Sequence, residues 1–174
     1  MLKAIIFIVV SVGIVYLSRI ALRDPHSYGF YRLFAFESIL ILVLLNMERW
    51  FHDPFSVFQI ISWVMLCFSL LLVVHGFRML RKIGRPKGGM DDTTILVVQG
   101  AYKYIRHPVY CSALLLAWGV FFKDPSFTGG ILVLAASAFL TATAKVEERQ
   151  TLNKFGDEYA QYRNKTKMFI PFLF

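Results

Sequence analysis

The stretch 107–148, "HPVYCSALLLAWGVFFKDPSFTGGILVLAASAFLTATAKVEE", decides the fold. Two apolar runs, 108–122 and 128–144, flank the polar break Lys123-Asp124-Pro125-Ser126. Proline and serine inside a four-residue break are turn residues, so the runs read as a tight antiparallel helical hairpin. Pro108 suits the first turn of its helix, where the N–H it lacks would have no intrahelical partner. Gly119, Gly129, Gly130, Ala135, Ala136, Ser137 and Ala138 are expected to let the two hairpin helices approach closely.

The rest of the chain has the same character. Of its 174 residues 57% are hydrophobic, 17 are Phe, and the 17% that are charged lie in clusters between apolar runs. This is one domain's length and a membrane protein's composition. Three further apolar blocks precede the hairpin, at 2–22, 30–47 and 55–77, with a polar turn at 48–54. Blocks of about 20 residues cross a hydrocarbon core of ~30 Å at 1.5 Å per residue. The run 108–122 is short on that measure and must thin the bilayer or extend backwards as helix. The N-terminal block lacks a small-x-small cleavage site and reads as the first span, not a leader. The expectation is an all-α polytopic protein with about five transmembrane helices. Cys67 and Cys111 lie in apolar segments at unrelated spacing, which suggests neither a disulfide framework nor a metal site.

Charge sets the expected orientation. With five spans, 16 of the 19 Lys and Arg fall on one side: Arg19, Arg23 and Arg32; seven from Arg78 to Arg106; and six from Lys145 to Lys167. Only Lys3, Arg49 and Lys123 fall on the other. Cytoplasmic loops carry the Lys/Arg excess, so the N-terminus is expected outside and the long third connection and the tail inside. The net charge of +8 thereby points to headgroups and topology, not to nucleic acid. The chain divides into an expected three-span region, 1–78, and an expected C-terminal region, 79–174. The latter joins a basic loop, the hairpin 108–144 and a charged helical tail in which Gly156 is a plausible break. The closing "MFIPFLF" is expected to fold back on the protein or the interface.

A hairpin brings its two ends together, and here those ends carry chemistry. His107 and Pro108 open one helix; Glu147 and Glu148 follow the other. The free N–H groups of the first turn suit a carboxylate or phosphate. Arg106 and Tyr102, Tyr104 and Tyr110 are equally ordinary interfacial anchors, and Glu–Arg pairs between helix ends are common. On physical grounds both readings stand. Glu37 and His75 are ionisable groups in or near apolar blocks, and for them snorkelling or pairing near the cytoplasmic ends is the expected reading.

The ordered set "GAYKYIRHPVY", then Glu147-Glu148 some forty residues on, then "FGDEYAQY" and a closing Pro171 resembles the integral-membrane methyltransferases of the isoprenylcysteine carboxyl methyltransferase and phospholipid methyltransferase group. The resemblance runs from about Thr93 to Pro171. It implies a site for S-adenosylmethionine. Carried over by position, a strand-like stretch of Thr94, Ile95, Leu96 and Val97 would line the adenosine, with Tyr102 beside it. His107, Pro108, Val109 and Tyr110 would surround the methionine end, and Glu147 would hold the amino group. Arg106, Glu148 and Lys145 are the remaining catalytic positions. Of these, Arg106 is expected to tie its turn to the acidic helix through Glu148, holding the tail as a lid over the cofactor. The implied acceptor is lipid-modified or lipidic, the chain acting as a monomer.

Two positions depart from the family pattern. Cys111-Ser112 stands where a glycine is usual, and Thr143 and Lys145 stand where the prenylcysteine enzymes carry an arginine, leaving Lys145 or Arg149 as substitutes toward an acceptor carboxylate. In-line methyl transfer to a carboxylate needs no general base, whereas a primary amine must first lose a proton, which favours carboxyl O-methylation over phospholipid N-methylation. Sterol-type membrane reductases also carry R-H-P-x-Y and bind NADPH; the small size and the paired glutamates argue against that alternative. A non-catalytic scaffold would account for the spans but not for the converging motifs.

Overall fold

The computed structural model describes residues 1–18, 27–87 and 92–171. Among them are five α-helices: α1 (Leu2–Ser18), α2 (Tyr28–Leu45), α3 (Val57–Met79), α4 (Pro108–Phe121) and α5 (Phe127–Lys165). A π-helical turn, Leu80–Gly84, prolongs α3, and 3-10 turns stand at Met47–Arg49 and Gly100–Lys103. Arg19 and Arg23 lie outside the described residues, as do 88–91 of the basic loop and 172–174 of the closing aromatic run.

Local chemistry sets the boundaries. Ser56 precedes α3 and accepts the Gln59 N–H at 3.3 Å; Ser126 precedes α5 and accepts the Gly129 N–H at 3.1 Å. Each hydroxyl satisfies one of the donors that a helix start leaves without an intrahelical partner. Lys123 to Ser126 form the turn between α4 and α5, and Pro108 is the first residue of α4, as the sequence predicts. The sequence places Arg32 in the first connection, but α2 already starts at Tyr28, so Arg32 lies within helix and over the Tyr28 ring, 5.3 Å from its centroid.

Tyr28–Leu45, Val57–Gly84 and Phe127–Lys165 are long and apolar enough to cross a membrane, whereas Leu2–Tyr16 and Pro108–Phe121 are shorter apolar helices. The 14 residues of α4 cover about 21 Å, less than a ~30 Å hydrocarbon core. By contrast, the 39 residues of α5 would cover about 58 Å, so its charged part, from Lys145 on, is helix in excess of a span. Gly156, with φ 54° and ψ −128°, breaks α5 inside that part, in a conformation that only glycine adopts without strain.

The chain falls into two compact units: Met1–Leu66 with Leu114–Val146, and Cys67–Ala113 with Glu147–Phe174. In the first unit Leu33, Ile39, Leu42, Val120, Val133 and Leu140 are buried. Where lipid surrounds helices, burial of apolar area gives little net drive, so close packing and interhelical hydrogen bonds carry the association. Asn46 Nδ2 donates to Val120 O at 2.8 Å, and Trp118 Nε1 donates to Ser137 Oγ at 3.3 Å. Ser38, Ser137 and Thr143 return their hydroxyls to the carbonyl four residues back, which satisfies those three donors within their own helices.

The glycines act differently from the expectation. A Cβ on Gly119 would lie 3.1 Å from Leu66, so this residue serves contact with α3, not α5. Gly129 does sit against Phe121 of α4, but Gly130 has nothing within 4 Å. Glu37 is also placed differently. It lies in the middle of α2, not near an end, because the helix starts at Tyr28; Ser11 of α1 donates to its Oε2 at 2.8 Å.

Candidate active site

The second unit is built around the turn that precedes α4. Gly100 has φ +61°, and a Cβ there would come within 2.4 Å of His75 Nε2, so both the conformation and the close approach require glycine. The next amide, Ala101 N–H, donates to that nitrogen at 3.2 Å. His75 is thus paired, as expected, and supports the turn. Tyr102 is buried, and its carbonyl accepts the Tyr162 hydroxyl at 2.7 Å.

The chain then runs beside the C-terminal tail. Ile105 pairs with Lys167 in an isolated parallel bridge, in which Arg106 N–H donates to Lys167 O at 2.8 Å and Lys167 N–H to Tyr104 O at 3.3 Å. His107 N–H donates to Met168 O at 3.2 Å, and its own carbonyl accepts Cys111 N–H at 2.8 Å, the first hydrogen bond of α4. Met168 and Phe169 are buried, so the described part of the closing aromatic run folds back on the protein.

The side chains converge in the same place. Arg106 Nε donates to Glu148 Oε1 at 2.6 Å, the ion pair read from the sequence, and its Nη1 caps the carbonyls of Arg163 and Thr166. His107 Nε2 lies 3.3 Å from the same Glu148 oxygen. The relative exposures of the Arg106 and Glu148 side chains are 10% and 9%, which makes this a largely desolvated charge pair that the surrounding polar groups must satisfy. Glu147 faces elsewhere, since adjacent helical residues point about 100° apart. Its Oε2 accepts the Tyr110 hydroxyl at 2.5 Å, and the Tyr110 ring stacks on His107 with centroids 5.6 Å apart. The two carboxylates thus take different partners: Glu148 meets Arg106 and His107, while half-buried Glu147 accepts the Tyr110 hydroxyl.

Residues 57–158, more than half of the chain, match the family model described as phospholipid methyltransferase. The chain belongs to the phospholipid methyltransferase family. Similar relatives carry different acceptors in their names. Methanethiol S-methyltransferase 1 of Bradyrhizobium diazoefficiens is 36% identical over 40% of this chain and 24% of its own length. Protein-S-isoprenylcysteine O-methyltransferase of Schizosaccharomyces pombe is 31% identical over 68% of this chain and 52% of its own. Methanethiol S-methyltransferase of Pseudomonas deceptionensis is 26% identical over 82% of this chain and 50% of its own. The matched part is therefore about half of each relative, or less.

For this integral-membrane member of the phospholipid methyltransferase family, the network unites five expected residues: Arg106, His107, Tyr110, Glu147 and Glu148. Val109 points elsewhere, because a Cβ on Gly76 of α3 would meet its Cγ2 at 2.9 Å. Pro108 is fully buried at the helix start. Thr94 to Val97 form no strand. The amides of Thr94 and Ile95 both go to one carbonyl, Gly84 O, at 2.7 and 3.2 Å, and Thr94 Oγ1 donates to Arg85 O at 3.0 Å. Only Val97 is buried in this stretch; Ile95 and Leu96 remain accessible. Lys154 anchors the loop by donating to Asp92 Oδ1 and holds that carboxyl below its ordinary value. Lys145 is exposed, lies in the first unit and takes no part in the network.

Sequence reading missed His75, Tyr162, Thr166 and Phe169 as supports of this site. Tyr162 carried a signal, since Tyr159 and Tyr162 stand three apart on one helix face just after the Gly156 break. Thr166 contributes through a backbone carbonyl, which no side-chain pattern reveals.

Proposed function

We propose that the protein is an S-adenosylmethionine-dependent methyltransferase acting on the carboxylate of an isoprenylcysteine-type acceptor. The observation that carries the reading is the convergence at the start of α4: Glu148 accepts from Arg106 beside His107, and Glu147 accepts the hydroxyl of Tyr110, whose ring stacks on His107, so carboxylate and aromatic groups meet at one helix start. A sulfonium and an ammonium favour carboxylate and aromatic faces, and the His107–Tyr110 stack with Glu147 supplies both. The positive end of the α4 dipole suits the cofactor's carboxylate. Thus Glu147, His107, Pro108 and Tyr110 would hold the methionine end, with Ile95 and Leu96 toward the adenosine and Tyr102 behind them.

The cofactor, when bound, supplies an electrophilic methyl group. An acceptor α-carboxylate, with a pKa of about 3.5, is already ionised at neutral pH, so no residue need remove a proton. The protein's contribution is then to orient the two partners and exclude water, with the tail clamped over the turn by Arg106. The catalytic part lies within 79–174; the chain acts as a single copy with five spans, the two shorter apolar helices included. The Lys/Arg excess of the loops supports a site facing the cytoplasm and an N-terminus outside. A second reading, methylation of a small thiol, is favoured by the placement of Thr143 and Lys145. Thr143 is buried with its hydroxyl on Phe139 O, and Lys145 is exposed, so neither positions a cation for an acceptor carboxylate.

Transfer of radiolabelled methyl to a farnesylcysteine analogue, a small thiol or phosphatidylethanolamine separates the readings. Label on the farnesylcysteine carboxyl is the expected result. Label on the thiol alone would move the acceptor to the second reading, and stabilisation by NADPH but not by S-adenosylhomocysteine would overturn both.

A further inference from the structure

The cations at the end of α3 are not used by this site. Arg78, Arg81, Lys82 and Arg85 crowd into eight residues at the end of α3 and across its π-helical turn, and all four are exposed. None of them pairs with a carboxylate among the described residues. Like charges four apart destabilise a helix. The C-terminal end of a helix dipole favours cations only within its last turn, and this cluster is longer than that. Such a cluster is suited to an anion that the described residues do not provide.

Depth identifies the anion. From Val57 to Phe77 no Asp, Glu, Lys or Arg occurs, and those 21 residues cover about 31 Å, one hydrocarbon thickness. The cluster starts with the next residue, at the level where lipid phosphates lie. Its far end is joined to the loop expected to face the adenosine. After the π-helical turn Leu80–Gly84, Arg85 adopts a left-handed conformation with φ 46° and ψ 62°. Gly84 O and Arg85 O together hold Thr94 and Ile95, and a Cβ on Gly84 would strike Thr93 at 2.7 Å.

We propose that Arg78, Arg81, Lys82 and Arg85 form a docking site for anionic phospholipid headgroups, and that an occupied site fixes the π-helical turn and with it the Thr94–Val97 segment. Anionic lipid thereby raises affinity for the cofactor. The effect on the cofactor rests on the proposed function; the lipid site itself does not.

The test uses the full chain in nanodiscs of phosphatidylcholine alone or mixed with phosphatidylglycerol, beside an Arg78→Gln, Arg81→Gln, Lys82→Gln variant. Native mass spectrometry counts retained phosphatidylglycerol, and calorimetry reads S-adenosylhomocysteine affinity. The wild type should retain more anionic lipid than the variant and bind S-adenosylhomocysteine about fivefold tighter in the mixed discs, the equivalent of about 1 kcal/mol. The variant should bind equally in both discs, at the wild-type value for neutral lipid, and an Arg81→Lys variant should keep the lipid response. Equal lipid retention by wild type and variant would overturn the site, and equal wild-type affinity in both discs would overturn the coupling. Inorganic phosphate reproducing the effect in neutral discs would make it a soluble-anion site and overturn the lipid assignment. No S-adenosylhomocysteine binding in any disc, with lipid retention as expected, would instead refute the proposed function and leave the headgroup site standing.

Discussion

Among the described residues two cations, Arg106 and Lys123, are withdrawn from solvent, and they are stabilised in opposite ways. Arg106 has a carboxylate partner, Glu148, and spends its remaining donors on the carbonyls of Arg163 and Thr166. Lys123, 5% exposed in the turn between α4 and α5, has no carboxylate partner among the described residues. Its Nζ donates to Gln59 Oε1 at 2.9 Å and lies 3.6 Å from the centroid of the Trp63 ring, with Trp50 also within cation–π reach at 5.5 Å. Gln59 completes the joint by donating to the carbonyls of Arg49 and Lys123 at 2.9 and 3.2 Å. In the Lys123 cluster one cation is matched to neutral groups and the contacts are internal, as in a fastening between three chain segments. Around Arg106 the formal charges are concentrated, with a second carboxylate, Glu147, beside the paired one. Ionisable groups gathered at a helix start distinguish this cluster from the Lys123 fastening.

Breaking the two clusters should expose that difference. Arg106→Ala leaves Glu148 buried with only His107 near it and frees the tail carbonyls, so unfolding should become easier by about 3 kcal/mol, the scale for breaking one side of a buried pair. Methyl transfer should fall with it, because the tail loses its clamp; chemical denaturation and an activity assay read both. If Arg106→Ala instead left stability unchanged and raised only the acceptor KM, Arg106 would be an acceptor ligand, not a clamp. Lys123→Met removes the ammonium from the Trp63 face and leaves the Gln59 carbonyl without its donor. It should cost about 1–2 kcal/mol of stability while leaving affinity for S-adenosylhomocysteine as it was. A stability loss for Lys123→Met as large as that for Arg106→Ala would erase the proposed distinction. The smallest effect belongs to Ser11→Ala, which removes a hydrogen bond between α1 and α2 and should cost about 0.6 kcal/mol. Loss of assembly in that variant would mean that α1 depends on the bond far more than membrane hydrogen bonds usually allow.

How much of this was legible depends on whether the signal was local. Pro108 as a helix start, Lys123 to Ser126 as a turn and Gly156 as a break are written in single residues whose backbone preferences need no partner. The convergence of Arg106 with Glu148 was legible one step further, because a hairpin brings its ends together whatever its surroundings. The partners of small residues were not legible. Gly119 announces a close approach, but only the fold decides that Leu66 fills it instead of α5. The apolar, β-branched run Thr94 to Val97 looks like a strand, yet its amides converge on the Gly84 carbonyl, since no neighbouring strand offers a ladder. The Lys123 joint was hidden for the same reason: Trp50, Gln59 and Trp63 share no periodicity with it.

The central claim is that Glu147, not Glu148, is the carboxylate kept for the cofactor. It is tested most directly by calorimetry of S-adenosylhomocysteine binding to the wild type, Glu147→Ala and Glu148→Ala in the same membrane mimetic, with thermal unfolding of each. Glu147→Ala should weaken binding by about 1.5–3 kcal/mol with little change in stability, whereas Glu148→Ala should act chiefly on stability. Equal losses of affinity in the two variants, or a loss confined to Glu148→Ala, would contradict it.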